Sequence, residues 1–157
     1  MIREFSYEVR LSGLPRIGRN CVRLRAALTE LALPPDVVRR TAICLYEAES
    51  NMVIHAGGGE ITIQVEPDAV RLCLRDRGPG ITQLERAMET GYSTADTEAR
   101  EEGFGAGLGL PNMQAFADAL EVSATPGGGT TIRMKIKATP RNSHAATVRH
   151  ANCAVLP

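Results

Sequence analysis

Apolar and polar residues alternate from Phe5 to Ser12, with Phe5, Tyr7, Val9 and Leu11 on one side and Ser6, Glu8, Arg10 and Ser12 on the other. A period of two marks a half-buried strand, closed here by Gly13 and Pro15. The period then lengthens. Cys21, Leu24, Leu28 and Leu31 fall at helical spacing between Ile17 and about Leu33, and Pro34-Pro35 ends this helix and starts another that runs to about Ala56. Gly57-Gly58-Gly59 breaks the second helix. Alternation returns in Ile61, Ile63, Val65 and in Val70, Leu72, Leu74, on either side of Pro67-Asp68, as in the two strands of a hairpin whose second strand delivers Asp76 at its end.

The pattern next predicts a short helix over Ile81 to Met88 and a polar, mobile loop over Gly91 to Glu102. Leu110, Met113, Phe116 and Leu120 set a helix over Leu108 to Leu120, and Glu121-Val122-Ser123 and Thr130 to Lys137 supply two more strands around Pro126-Gly127-Gly128-Gly129. In the last strand Ile132, Met134 and Ile136 face one way, and Arg133, Lys135 and Lys137 the other. Strands that alternate this cleanly are covered on one face only. The expected fold is therefore a two-layer α/β sandwich, with a mixed, largely antiparallel sheet and helices on one face, in preference to a doubly wound parallel sheet. From Ala138 onward no period is visible, so residues 138–157 are expected to form a disordered tail on a domain spanning 1–137.

Composition narrows the chemistry. A chain of 157 residues, 43% hydrophobic, supports one core. Its 18 basic and 18 acidic residues leave no electrostatic case for nucleic acid or an anionic membrane. No stretch has the features of a secretory signal or the length of a membrane span, which makes a cytoplasmic protein the default expectation. Cys21, Cys44, Cys73 and Cys153 are too scattered for a zinc site or a disulfide framework. Lysine occurs only at Lys135 and Lys137, so a P-loop lysine is absent before the last strand, and any phosphate site must rest on backbone N–H groups, a metal ion and arginine.

Two glycine blocks suit such a site. Asp76-Arg77-Gly78-Pro79-Gly80-Ile81 places a carboxylate at a strand end beside a glycine turn, where it can accept a hydrogen bond from an exocyclic amine. Gly103-Phe104-Gly105-Ala106-Gly107-Leu108-Gly109-Leu110 runs into a helix whose free N–H groups and positive dipole end suit phosphate. On the second helix Glu47, Asn51 and His55 form one polar stripe at i, i+4 and i+8. A solvated helix face would look the same, but a carboxylate and an amide one turn apart also suit Mg²⁺ and an adjacent hydroxyl. Glu49 lies just over half a turn from Glu47 and cannot form an acid/base pair with it. His55 in a last helical turn fits a capping role.

In order, these blocks resemble the motifs of the GHKL ATPase superfamily, whose Bergerat fold is shared by histidine-kinase catalytic domains, gyrase-type ATPases and anti-sigma-factor serine kinases. Glu47-Ala48-Glu49-Ser50-Asn51 with His55 is similar to the N box, Asp76 to Gly80 to the first glycine box, Gly103 to Leu110 to the second, and Gly129-Thr130 to the glycine-threonine signature. The resemblance implies that Asn51 ligates Mg²⁺ and Asp76 receives the adenine amino group. Gly78, Gly80 and Ile81 would then shape the adenine pocket, and Thr130 would support Asp76. It further implies that Gly103, Gly105, Ala106, Gly107, Leu108 and Gly109 line the phosphates, with Arg100 as the nearest lid arginine and Glu47 as the general base.

Within the superfamily, the compact length and the lid sequence Gly91-Tyr92-Ser93-Thr94 look most like the anti-sigma regulatory factors and switch kinases of bacterial partner-switching systems. That resemblance implies an ATP- and Mg²⁺-dependent serine/threonine protein kinase acting on a small antagonist protein, with a sigma factor as a second partner in some members. An ATP-dependent binding switch without significant transferase activity would use the same pocket. A detached histidine-kinase catalytic domain ranks lower. The amphipathic first strand and helix leave a homodimer open, since periodicity does not separate an interface from a core.

Overall fold

The computed structural model describes residues 2–10, 17–92, 107–139 and 147–150, without the side chains of residues 8–10, 84–85 and 147–150. Six strands form one sheet: β1 (Arg3–Arg10), β2 (Gly58–Val65), β3 (Ala69–Asp76), β4 (Ala119–Thr125), β5 (Gly129–Lys137) and β6 (Thr147–His150), in the order β1-β2-β3-β5-β4-β6. All neighbours are antiparallel except β4 and β6, which run parallel. The helices are α1 (Arg19–Glu30), α2 (Pro35–Asn51), the single turn α3 (Leu84–Ala87) and α4 (Gly109–Phe116).

The register explains the alternation. One row of facing residues runs Tyr7, Ile61, Leu74, Ile132, Val122, and the next runs Phe5, Ile63, Leu72, Met134, Leu120. These side chains meet Leu24 and Leu28 of α1, Leu45 and Ala48 of α2, and Leu110 and Met113 of α4 in one buried cluster. The opposite face carries Thr62, Cys73, Arg133 and Glu121 in one row and has no helix against it among the described residues. The expected two-layer, largely antiparallel sandwich is the observed fold. No helix among the described residues is long and apolar enough to cross a membrane.

Three expectations are corrected. Leu120 belongs to β4 and not to the preceding helix: α4 ends at Phe116, and Ala117 is already extended with ψ 153°. Leu120 satisfies both periods, four residues after Phe116 and two before Val122, and pairing with Met134 decides for the strand. The second helix does not run uniformly to Ala56, because Met52–Ala56 forms a π-helical turn closed by Gly57 in the left-handed conformation (φ 71°). Finally, Thr147–His150, in the segment expected to be a disordered tail, pairs with the outer edge of β4. A strand of four residues with Val148 as its one aliphatic position is too short to show a side-chain period.

Candidate functional site

A cleft of about 610 Å³ opens between α2, α4, the β3 end and the turn after it. Its size lies within the range of about 300–1,000 Å³ that holds a small ligand. Asp76, the last residue of β3, is at one end. Its Oδ1 accepts hydrogen bonds from the Gly78 N–H at 2.9 Å and the Thr130 N–H at 3.0 Å. Both donors fall on one oxygen, which orients the carboxylate and leaves the other oxygen for a donor such as an exocyclic amine. Thr130 therefore supports Asp76 through its main chain. Gly78 acts from behind and does not line the cleft, whereas Gly80 and Ile81 do.

Gly80 holds φ +74°, and a Cβ there would sit 2.3 Å from the Thr125 carbonyl oxygen. The Gly127 N–H donates to the Pro79 carbonyl oxygen at 2.8 Å, so the glycine turn is held against the β4–β5 hairpin. Only glycine fits this conformation and this approach.

Glu47 and Asn51 lie one turn apart on α2 and both line the cleft. A Cβ on Gly109 would approach Asn51 Oδ1 to 2.7 Å, so the end of α2 is packed against the start of α4. The Asn112 amide Nδ2 donates to Glu47 Oε1 at 2.7 Å. Gly107, Leu108 and Gly109 line the same wall, and the Gly91 N–H donates to the Gly107 carbonyl oxygen at 2.9 Å. The α4 N-terminus thus faces the polar stripe of α2, where its unpaired N–H groups can meet an anion. His55 and Ile54 of the π-helical turn line the cleft as well.

Nine of the expected site residues converge here: Glu47, Asn51, Asp76, Gly80, Ile81, Gly107, Leu108, Gly109 and Thr130. Arg100, Gly103, Gly105 and Ala106 lie outside the described residues, as do Ser93 and Thr94 of the loop. Sequence reasoning missed Asn112, which carried no signal as one more polar residue on a helix. It also missed Tyr46, Ser50 and Ile132, which line the walls.

Glu49 faces away, as its position on the helix requires. It is buried, accepts the Gly18 N–H at 3.1 Å, and takes a further hydrogen bond from Asn20 Nδ2. Burial pushes its carboxyl above the ordinary carboxylate value, against the opposing pull of those two donors. Among the described residues, no group of three or more His, Cys, Asp and Glu could hold a metal ion by itself. A cation in this cleft would need oxygen donors from a bound ligand.

Residues 37–140 match the family described as histidine kinase-, DNA gyrase B- and HSP90-like ATPase. The chain belongs to that family, and membership implies ATP binding. It is 40% identical over 93 residues to the anti-sigma F factor of Caldanaerobacter subterraneus, a match that takes in 56% of this chain and 62% of that protein. Less than two thirds of that relative is thus covered. It is 32% identical to the anti-sigma F factor of Pasteuria penetrans, over 71% of this chain and 77% of that protein. The serine/threonine-protein kinase RsbT of Bacillus subtilis is 28% identical, over 75% of this chain and 81% of that protein.

Proposed function

We propose that this chain is an ATP-dependent serine/threonine protein kinase of the switch type, acting on a hydroxyl of a small regulatory protein. The observation that carries this reading is Glu47, a carboxylate held by Asn112 in the wall of the cleft beside Asn51 and the start of α4. ATP would lie with its adenine amine on Asp76, its base in the pocket shaped by Gly80, Ile81 and Thr130, and its phosphates toward Gly107, Leu108 and Gly109. Asn51 offers a hard oxygen for Mg²⁺, in keeping with that ion's habit of using one or two protein ligands plus phosphate oxygens. Bound there, Mg²⁺ would neutralise phosphate charge.

Glu47 would accept the proton of the acceptor hydroxyl as its oxygen bonds to the γ-phosphorus and the bond from that phosphorus to the β–γ bridging oxygen breaks, releasing ADP. The rest of catalysis is positioning and charge stabilisation. Names of relatives favour a second reading. Two of them are anti-sigma factors, so sequestration of a regulator, with ATP setting affinity and little transfer, would use the same cleft. A small antagonist protein, and in that case a sigma factor, would be the partners, in the cytoplasm.

Label transfer separates the two. Mg-ATP carrying labelled γ-phosphate is incubated with lysate of the source organism and either wild type or Glu47→Ala, and labelled bands are treated with acid and base. A kinase yields an acid-stable band that Glu47→Ala abolishes while both proteins still bind ATP. Absence of any band from two ATP-binding proteins refutes the kinase reading, and an acid-labile band indicates phosphohistidine instead.

A further inference from the structure

We propose that Asn112 is a positioning residue for phosphoryl transfer, fixing the Glu47 carboxylate and tying its aim to the first turn of α4. The inference rests on Glu47 as the base. A carboxylate only accepts, so the contact at 2.7 Å requires the Asn112 amide to present its NH₂ group to Glu47. One Glu47 oxygen is thereby pinned. Among the described residues the other has no hydrogen bond, which leaves it for the proton of an acceptor hydroxyl.

The two helices meet turn against turn. Glu47 and Asn51 are four residues apart on α2, Gly109 and Asn112 three apart on α4, and each pair shares a face of its helix. Gly109 abuts Asn51, Asn112 bonds Glu47, and the Asn112 N–H closes the first turn of α4 on the Leu108 carbonyl oxygen at 2.8 Å. Leu108 and Gly109 line the cleft, so a phosphate group seated against them lies beside the turn that holds the base. Glutamate alone carries three rotatable side-chain bonds. The Asn112 bond removes that freedom at the reacting end, and a displacement of about 1 Å there is worth about 100-fold in rate.

The test compares wild type, Asn112→Leu, Asn112→Gln and Asn112→Ser, in Glu47 and Glu47→Gln backgrounds. The readouts are single-turnover hydrolysis of Mg-ATP, in which water takes the place of the acceptor hydroxyl before Glu47, ATP affinity by calorimetry, and melting temperature. Leucine keeps the volume and removes the donor, and serine covers the case in which leucine disturbs α4. The expected result is a fall of about 30- to 100-fold in turnover for Asn112→Leu and Asn112→Ser, with ATP affinity within about threefold and partial recovery in Asn112→Gln. In the Glu47→Gln background the same changes should cost less than about threefold, because the group they position is gone. Turnover within about threefold of wild type for Asn112→Leu, or full losses that add to Glu47→Gln, would overturn the proposal while leaving Glu47 as the base. Unchanged turnover in Glu47→Gln alone would overturn the base assignment and this inference with it.

Discussion

Replacing Arg40 by methionine removes a guanidinium that is only 1% exposed and joins four parts of the fold. Its Nε donates to Asp36 at 2.8 Å at the start of α2, and its terminal nitrogens reach Asp118 at 2.8 Å and the Phe116 and Lys137 carbonyl oxygens at 3.5 and 3.0 Å. The magnitude follows from burial. The Asp36 side chain is 44% exposed, so its pair is screened and worth at most about 1 kcal/mol. Asp118 is 15% exposed, and stripping the cation from such a carboxylate costs about 3–5 kcal/mol. The Lys137 N–H still donates to Asp118 at 2.7 Å, which favours the lower end. Methionine refills most of the volume, so a cavity adds little. About 3 kcal/mol should therefore be lost, which at 2–4 °C per kcal/mol is a fall of about 6–12 °C in Tm. Urea and thermal unfolding followed by far-UV circular dichroism measure both. Adding Asp118→Asn should restore about 1 kcal/mol or more, because the acid left without its guanidinium is gone. A single-variant loss below about 1 kcal/mol, or a double variant no better than the sum of the two, refutes the reasoning.

Other sites give sharper local tests. Gly80→Ala meets the Thr125 carbonyl with φ fixed at +74°, so the glycine turn must move; calorimetry should show ATP affinity weakened about tenfold or more, and unchanged affinity would mean the turn is not part of the pocket. Glu49 has its carboxyl pKa raised above 4.5 by burial, so the folded state holds that proton more tightly than the unfolded chain. Its contribution is therefore full below about pH 4.5 and is lost as pH rises through the raised value. The Tm of wild type minus that of Glu49→Gln should accordingly be larger at about pH 4.5 than at about pH 7.5, and a difference independent of pH would show that Glu49 does not titrate with folding. Cys21 has its thiol pushed up to about 12, by burial first and then by Glu49. In the native protein at about pH 8 it should resist a disulfide reagent and react only on unfolding, as mass spectrometry of the labelled peptides would show.

The fold was legible wherever one face of an element is buried and the other is wet. Ile61, Ile63 and Val65, or Ile132, Met134 and Ile136, announce strands because their neighbours Thr62, Gln64, Arg133 and Lys135 look away from the core. The π-helical turn left no mark, since it preserves the apolar run Met52-Val53-Ile54 that a continuing α-helix would also show. β6 was hidden for a different reason, because four residues with one aliphatic side chain show no period. The individual glycines and Asp76 stood out through their spacing. What could not be read was the set of contacts between distant segments. Asn112 and Glu47 are 65 residues apart in sequence, Arg40 and Asp118 are 78 apart, and Glu49 reaches back to Gly18 over 31. No local period encodes such pairs.

Those three contacts all start from α2, and this puts long-range anchors and the polar stripe of the cleft on one helix. Its buried residues Val37, Cys44, Leu45 and Ala48 belong to the core, Arg40 joins its first turns to the ends of β5 and α4, and Glu49 holds the start of α1. The remaining polar stripe, Glu47 and Asn51, faces α4 and the cleft. A helix fastened on three sides cannot rotate without breaking buried hydrogen bonds, so the direction of Glu47 is set by contacts far from the cleft as much as by Asn112. Both walls of the cleft are rooted in the same core, α2 through Leu45 and Ala48 and α4 through Leu110 and Met113. At the site they meet where Gly109 abuts Asn51 and Asn112 donates to Glu47, so a ligand seated on the start of α4 would lie beside both polar groups of α2.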